Sequence, residues 1–181
     1  VQCDLTVIPC LNYDHSMSYN LPVKPSPNLP NLRAIMLYPS LCFFEPTIVS
    51  IGRGTQEQFQ IMGHPDYGIG SYYFTPTPQP GAQNPKLKGV QCNGQSLAGL
   101  DPAQIKDWGQ LDLSYLIKFY QRLKDDHTFI TSPQFFDKLA GGDQLRKQLL
   151  AGYTAEQIRS SWASDIDDYI EKRRKYLIYS L

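Results

Sequence analysis

Residues 38–59 read YPSLCFFEPTIVSIGRGTQEQF. Its apolar part, residues 38–51, holds one carboxylate, Glu45, and a Gly52-Arg53-Gly54-Thr55 turn follows. A buried, unpaired charge is too costly to be incidental in such a run. Glu45 and Arg53 therefore read either as partners in a structural ion pair or as two walls of a site. Pro46 biases Glu45 toward extended geometry. Ile48 to Ile51 predicts a strand leading into the turn, where the glycines permit positive φ. Upstream, Pro30-Asn31 predicts the start of a short helix over Leu32 to Leu37, halted by Pro39.

Working outward, twelve of the 14 prolines fall in the first 85 residues. The first half is thus predicted as extended segments and shaped loops, and the second half is free to be helical. LTVIP at 5–9 reads as a strand that Pro9 ends, and KPSPNLPNL at 24–32 as a rigid turn. Further short strands are predicted over Phe59 to Met62, Tyr72 to Phe74 and Gly89 to Cys92, with an irregular loop, TPTPQPGAQNPK, between the last two. Downstream, Asp112 can cap a helix carrying Leu113, Leu116, Ile117, Tyr120 and Leu123 at helical spacing. Ser132-Pro133 opens another, with Phe135, Phe136 and Leu139 inward and Gly141-Gly142 at its end. A short helix follows over about 143–151. Thr154 to Gln157 is a capping box, and behind it Ile158, Trp162, Ile166, Tyr169, Ile170 and Leu177 share one face of a long terminal helix. The expected class is α+β: short strands and proline-rich loops in the first half, helices in the second half including a long C-terminal helix.

With 41% hydrophobic residues the chain can build a core without metals or disulfides. Its formal net charge of zero excludes a basic footprint for nucleic acid. No run is long enough to span a membrane. Cys3, Cys10, Cys42 and Cys92 form no paired framework, and His15, His64 and His127 are scattered, so no metal site is expected. The acidic-then-basic SDIDDYIEKRRK reads as a solvated helix face. The chain opens in a strand-like pattern without methionine and reads as a piece of something longer.

A carboxylate held rigidly among apolar groups is how a general acid is made, and this is the functional reading of Glu45. Its structural alternative is a pair with Arg53, or acceptance of N–H bonds from a proline-rich turn. The planar fork of Arg53 suits a carboxylate or phosphate ligand. Ser26 and Asn28 can bond a sugar hydroxyl or cap the helix that follows. Asp14 beside His15 is a weak acid–base pair, since neighbours on a strand point to opposite faces. His64-Pro65 reads as a turn, and Trp162 as packing. There is no nucleophile elbow and no phosphate-cradling loop.

In order along the chain stand PSPNLP (25–30), YPSLCFFE-T (38–47), SIGRGT (50–55), Phe59, FTP (74–76), KGVQCNG (88–94) and the ending IRSSW...YIEKRRKYLIY. Together they resemble the C-terminal half of the NamZ-like exo-β-N-acetylmuramidases, the DUF1343 family. That family usually has Phe-Glu-Gly-Thr where this chain has FEPT, so Pro46 stiffens the turn.

The resemblance implies hydrolysis of terminal β-linked N-acetylmuramic acid from peptidoglycan fragments, without metal or cofactor, in a periplasmic or secreted setting. It also implies a Rossmann-like N-terminal half. Residues 1–30 would be the tail of that domain with a proline-rich linker, and 31–181 the C-terminal α+β domain. The expected partners are a peptidoglycan-derived sugar or muropeptide and the N-terminal domain of the same protein. Glycoside hydrolysis usually takes two carboxyl groups, of which Glu45 can supply one. Arg53 is the residue expected to read the lactyl carboxylate of muramic acid. The rival reading is a non-catalytic wall-sugar-binding or scaffold module. Burial of Glu45 against Arg53 with no cleft favours the scaffold; a place on a concave surface favours the enzyme. An enzyme on another amino sugar or a nucleotide is a further rival, disfavoured by the missing phosphate loop.

Overall fold

The helix expected from Leu32 begins there but runs through Pro39, so that α1 spans Leu32–Leu41. The structure, a computed structural model, describes residues 2–179, and Val1, which opens the strand-like start of the chain, lies outside the described residues. Asn31 caps α1, its Oδ1 accepting the Ala34 N–H at 2.9 Å. Pro39 removes one amide from the helix. It does so in the last turn, which the buried face of Ala34, Leu37 and Leu41 holds against the core. A 3-10 turn, Cys42–Phe44, then delivers the chain to Glu45.

Three short antiparallel strands follow: β1 (Ile61–His64), β2 (Tyr72–Phe74) and β3 (Cys92–Ser96), in the order β1-β3-β2. β2 lies where it was expected. β1 and β3 start later than predicted because turns occupy their expected first residues. Phe59 takes a positive φ of 54° and donates its N–H to the Ile51 carbonyl, while Gly89 takes a φ of 74° and bonds Pro76. The strand expected over Ile48 to Ile51 is absent. That segment and Thr47 before it make isolated bridges, Thr47 to Ile130 and Ser50 to Gly63, and the carbonyls of Thr47 and Val49 serve a lysine side chain instead of a ladder. LTVIP is exposed and unladdered.

At the centre of the sheet Gly94 faces Gly63 on one side and Tyr72 on the other. A Cβ on Gly94 would stand 1.8 Å from the Met62 carbonyl oxygen and 2.6 Å from the Gly63 Cα. Both are backbone atoms that cannot turn aside. Gly94→Ala is therefore expected to cost about 3 kcal/mol or more. Thermal denaturation checks this, and a change within ~0.5 kcal/mol would contradict it.

The helices pack beside this sheet. α2 (Pro102–Asp107) was not expected, although its signals are present: Asp101 and Gln104 form a capping box and Pro102 takes the first turn. α3 (Ser114–Leu123) buries Leu116, Phe119 and Leu123, and the Tyr67 ring stacks on Phe119 at 3.9 Å. Asp112 accepts the Ser114 N–H at 2.8 Å, as a cap should. α4 (Pro133–Ala140) ends at Gly141 in the left-handed region. Phe136 is buried there, but Phe135, expected inward, is 41% exposed. α5 (Gln144–Leu150) precedes α6 (Ala155–Arg173), whose capping box joins Thr154 and Gln157 as expected.

The class is α+β, with the long terminal helix in place. By contact the chain forms two units, residues Leu21–Ile158 and the first twenty residues with the chain from Arg159. In the smaller unit the Cys10 N–H donates to the Tyr179 hydroxyl at 2.7 Å, and Tyr13 meets Tyr179 edge-on at 5.0 Å. The apolar face expected to bury α6 is only partly covered: Ile158 is fully buried, Trp162 half-buried, and Ile166 and Tyr169 exposed. Helical spacing fixes which residues share a face; it does not supply what covers them.

Candidate functional site

Glu45 ends the 3-10 turn in right-handed helical geometry, φ −56° and ψ −43°. This overturns the extended backbone expected from Pro46. Turn bonds outweigh the proline bias: Glu45 N–H donates to Cys42 at 2.9 Å, and Thr47 N–H to Phe44 at 3.0 Å. Thr47 adds its hydroxyl to the same Phe44 carbonyl at 2.8 Å. Arg53 projects from the glycine turn, where Gly52 and Gly54 take φ values of 77° and 86°. Neither glycine has room for a Cβ, with Glu57 O at 2.6 Å in one case and Thr77 O at 2.7 Å in the other. The turn is thus rigid by both conformation and crowding.

The two side chains meet: Arg53 Nη1 lies 3.6 Å from Glu45 Oε2. That is an ion pair longer than a hydrogen bond. Glu45 is 17% exposed and Arg53 41%, so the guanidinium fork stays open to a ligand. Both residues also line two neighbouring cavities. One, of about 220 Å³, is completed by Ser50, Asn84, Lys86 and Phe135. The other, of about 230 Å³, is completed by Ser26, Asn28, Tyr38 and Phe59. Glu45 and Arg53 are thus both paired with each other and walls of the two cavities. All four residues singled out in the sequence, Ser26, Asn28, Glu45 and Arg53, lie on the second cavity.

Neither Ser26 nor Asn28 caps α1, since Asn31 does. Ser26 Oγ accepts the Asn28 N–H at 3.2 Å, and Asn28 Nδ2 donates to Gly81 at 3.1 Å. Asn28 Oδ1 is buried without a partner. A buried acceptor left unpaired costs free energy, so a ligand N–H or O–H is a natural complement. Tyr38 stands beside the pair. Burial, and then the Glu45 carboxylate, hold its hydroxyl above the usual tyrosine range.

Lys86 was hidden in the irregular loop TPTPQPGAQNPK. Its Nζ donates to the carbonyls of Phe44, Glu45 and Val49, each at 3.1 Å, and to that of Thr47. One ammonium therefore ties together the segment that carries Glu45. Burial pushes it down to about 8, with Glu45 opposing and Arg53 adding to the fall. Burial likewise pushes the Cys42 and Cys92 thiols up to about 11.

These shifts have opposite signs in stability. From pH about 8 to 10.5 the folded chain has released the Lys86 proton while the unfolded chain keeps it, so stability rises with pH. From about 9 to 11 the unfolded chain has lost two thiol protons that the folded chain keeps, so stability falls. Two thiols outweigh one amine. Melting temperature is expected to rise slightly from pH 8 to 9 and to fall above it. A monotonic rise to pH 11 would contradict this assignment.

His15 forms no acid–base pair, because Asp14 accepts both the N–H and the hydroxyl of Ser16. His64 behaves as turn chemistry, its Nδ1 accepting the Asp66 N–H at 3.2 Å. His64 and His127, far apart in sequence, come together around Asp66, with ring centroids 4.9 Å apart. Burial, with His127 adding and Asp66 opposing, holds His64 below the usual histidine range.

Residues 36–179 match the family described as Exo-beta-N-acetylmuramidase NamZ, C-terminal. The chain is similar to the peptidoglycan beta-N-acetylmuramidase NamZ of Bacillus subtilis (strain 168), at 28% identity over 99% of this chain and 46% of that protein. It is also similar to the crystal structure of a DUF1343 family protein from Bacteroides fragilis NCTC 9343. That likeness has a TM-score of 0.92 and 44% identity, over 98% of this chain and 50% of that one. The chain spans about half the length of these relatives. With that match running over residues 36–179, the chain belongs to the NamZ C-terminal domain family.

Proposed function

We propose that this chain supplies one wall of the cleft of a glycoside hydrolase that releases terminal β-linked N-acetylmuramic acid from peptidoglycan fragments. The observation that carries the reading is the Glu45–Arg53 pair shared by two cavities of sugar size. Glu45 is the one carboxylate among the residues lining either cavity. Hydrolysis usually requires two, about 5–5.5 Å apart for retention or about 6.5–9.5 Å for inversion. The second carboxyl then comes from the remainder of a protein as long as the relatives, and this chain alone is inactive. The setting is periplasmic or secreted, where peptidoglycan is.

Glu45 serves as acid, base or charge stabiliser at the glycosidic bond. Arg53 reads the lactyl carboxylate, the group that distinguishes muramic acid from glucosamine. A ligand carboxylate can take both arms of the guanidinium, whereas Glu45 holds it at 3.6 Å by one oxygen. The unpartnered Asn28 Oδ1 supports a role in accepting from the sugar, and Tyr38, Phe59 and Phe135 offer apolar surface to its ring.

Arg53→Lys keeps the charge and loses the fork. Charge-assisted bonds are worth about 1.5–3 kcal/mol, so the preference for a β-N-acetylmuraminide over a β-N-acetylglucosaminide should fall about tenfold or more. Melting temperature should hardly move, because the pair is exposed on the arginine side. An unchanged ratio of kcat/KM values, or stability lost in step with preference, would count against the role of Arg53.

A further inference from the structure

We infer that His64, Asp66 and His127 form a binding site for a divalent first-row transition metal of the zinc class, outside the sugar cavities. One ligand atom from each residue lies within 4.8 Å of the other two. Asp66 Oδ2 is 3.0 Å from His127 Nε2 and 3.8 Å from His64 Nδ1. Zinc sits about 2.0–2.2 Å from imidazole nitrogen and carboxylate oxygen, so tetrahedral ligand atoms stand about 3.3 Å apart. The two separations bracket that spacing. The widest pair closes through the side chains of Asp66 and His127, which are the more exposed members of the set.

The donor set is chemically apt. Two imidazoles and one carboxylate are the ligands of open zinc and non-haem iron sites, and hard oxygen-seeking cations such as magnesium and calcium are disfavoured by the nitrogens. His64 is nearly enclosed at the end of β1, while Asp66 faces solvent, so the ion has a fixed anchor and an entry side. Ligation through His64 Nδ1 takes over the lone pair that now accepts the Asp66 N–H at 3.2 Å.

Three elements are tied by such an ion: the end of β1, the 3-10 turn Pro65–Tyr67, and the connection after α3 that carries His127. That connection continues to Phe129 and Thr131, which bond the backbone of Ile48 and Pro46, just beyond Glu45. The metal therefore braces the segment on which the candidate acid is mounted. Its role is positional, and it takes no part in bond cleavage.

The test uses the full chain carrying Cys3→Ser and Cys10→Ser, because both exposed thiols bind zinc themselves. After removal of metal with a chelator, Co2+ and then Zn2+ are added while the visible cobalt spectrum and the heat of binding are followed. The expected result is one equivalent of Co2+ with ligand-field bands, displaced by Zn2+. Asp66→Asn and His127→Gln should each weaken binding by more than about 100-fold, beyond the 10–100-fold typical of outer-sphere partners. His15→Gln should leave it unchanged. Absence of stoichiometric binding overturns the assignment and leaves Asp66–His127 a plain ion pair. Binding that survives both Asp66→Asn and His127→Gln overturns it as well. Neither Asp66 nor His127 is itself buried, so folding is not the readout.

Discussion

Glu45→Gln is expected to lower kcat by about a hundredfold or more in the longer protein proposed to carry this chain. Glutamine matches glutamate in shape and lies within the same turn, so the backbone bonds of the Cys42–Thr47 segment persist. What disappears is the proton that can be given or taken and the charge that can face a developing oxocarbenium ion. Loss of the 3.6 Å pair with Arg53 removes only about 0–1 kcal/mol of stability, since that pair is partly exposed. KM for a chromogenic β-N-acetylmuraminide should change much less than kcat, because the proposed role of holding the sugar falls to Arg53 and not to Glu45. Single-turnover kinetics on the folded variant measures this. Near-normal turnover would return Glu45 to an ion-pair role and leave the chain a scaffold.

Lys86→Met should be the costliest side-chain substitution in this region. The methionine fills a similar volume but donates nothing; the carbonyls of Glu45, Thr47 and Val49 lose this donor, while that of Phe44 keeps the Thr47 N–H and hydroxyl. Each buried acceptor left unpaired costs about 1–3 kcal/mol. Relaxation and water recover part of that, so a loss of about 3–5 kcal/mol is expected, as for other broken buried charges. For a chain of this size it lowers melting temperature by about 10 °C or more. Activity should fall further than stability predicts, since Glu45 is mounted on the freed segment. Arginine would not rescue, as its planar fork cannot aim at four converging oxygens. A melting temperature within about 2 °C of the parent would show the carbonyl cage to be dispensable.

The parts of this fold that were legible in the sequence are those decided locally. Asp112, Ser132-Pro133 with Gly141, and Thr154 with Gln157 announce helix ends through side chains a few residues apart, and the helices α3, α4 and α6 are where those signals place them. Asp101 and Gln104 carried the same signal for α2 and were passed over. What was not legible depends on distant partners. Lys86 draws the carbonyls of Thr47 and Val49 out of any strand, from about forty residues away. Pro39 would end an isolated helix, but the buried face of α1 carries the turn past it.

The site divides in the same way. Glu45 and Arg53 stand out because a carboxylate in an apolar run and an arginine between glycines are locally anomalous. Their pairing across the turn is one of two readings; the structure shows the pair, and both residues also line the cavities. Phe135 looked like core by helical spacing and instead lines a cavity, while Tyr38 carried no signal at all. His64 and His127 are 63 positions apart, so only the fold reveals that they share Asp66.

The most direct test is a crystal structure of the longer protein with N-acetylmuramic acid bound. The predicted result places the sugar in one of the two cavities beside Glu45, with its lactyl carboxylate about 2.7–2.9 Å from the Arg53 guanidinium nitrogens. A sugar bound elsewhere, with Arg53 still engaged by Glu45 alone, would contradict it.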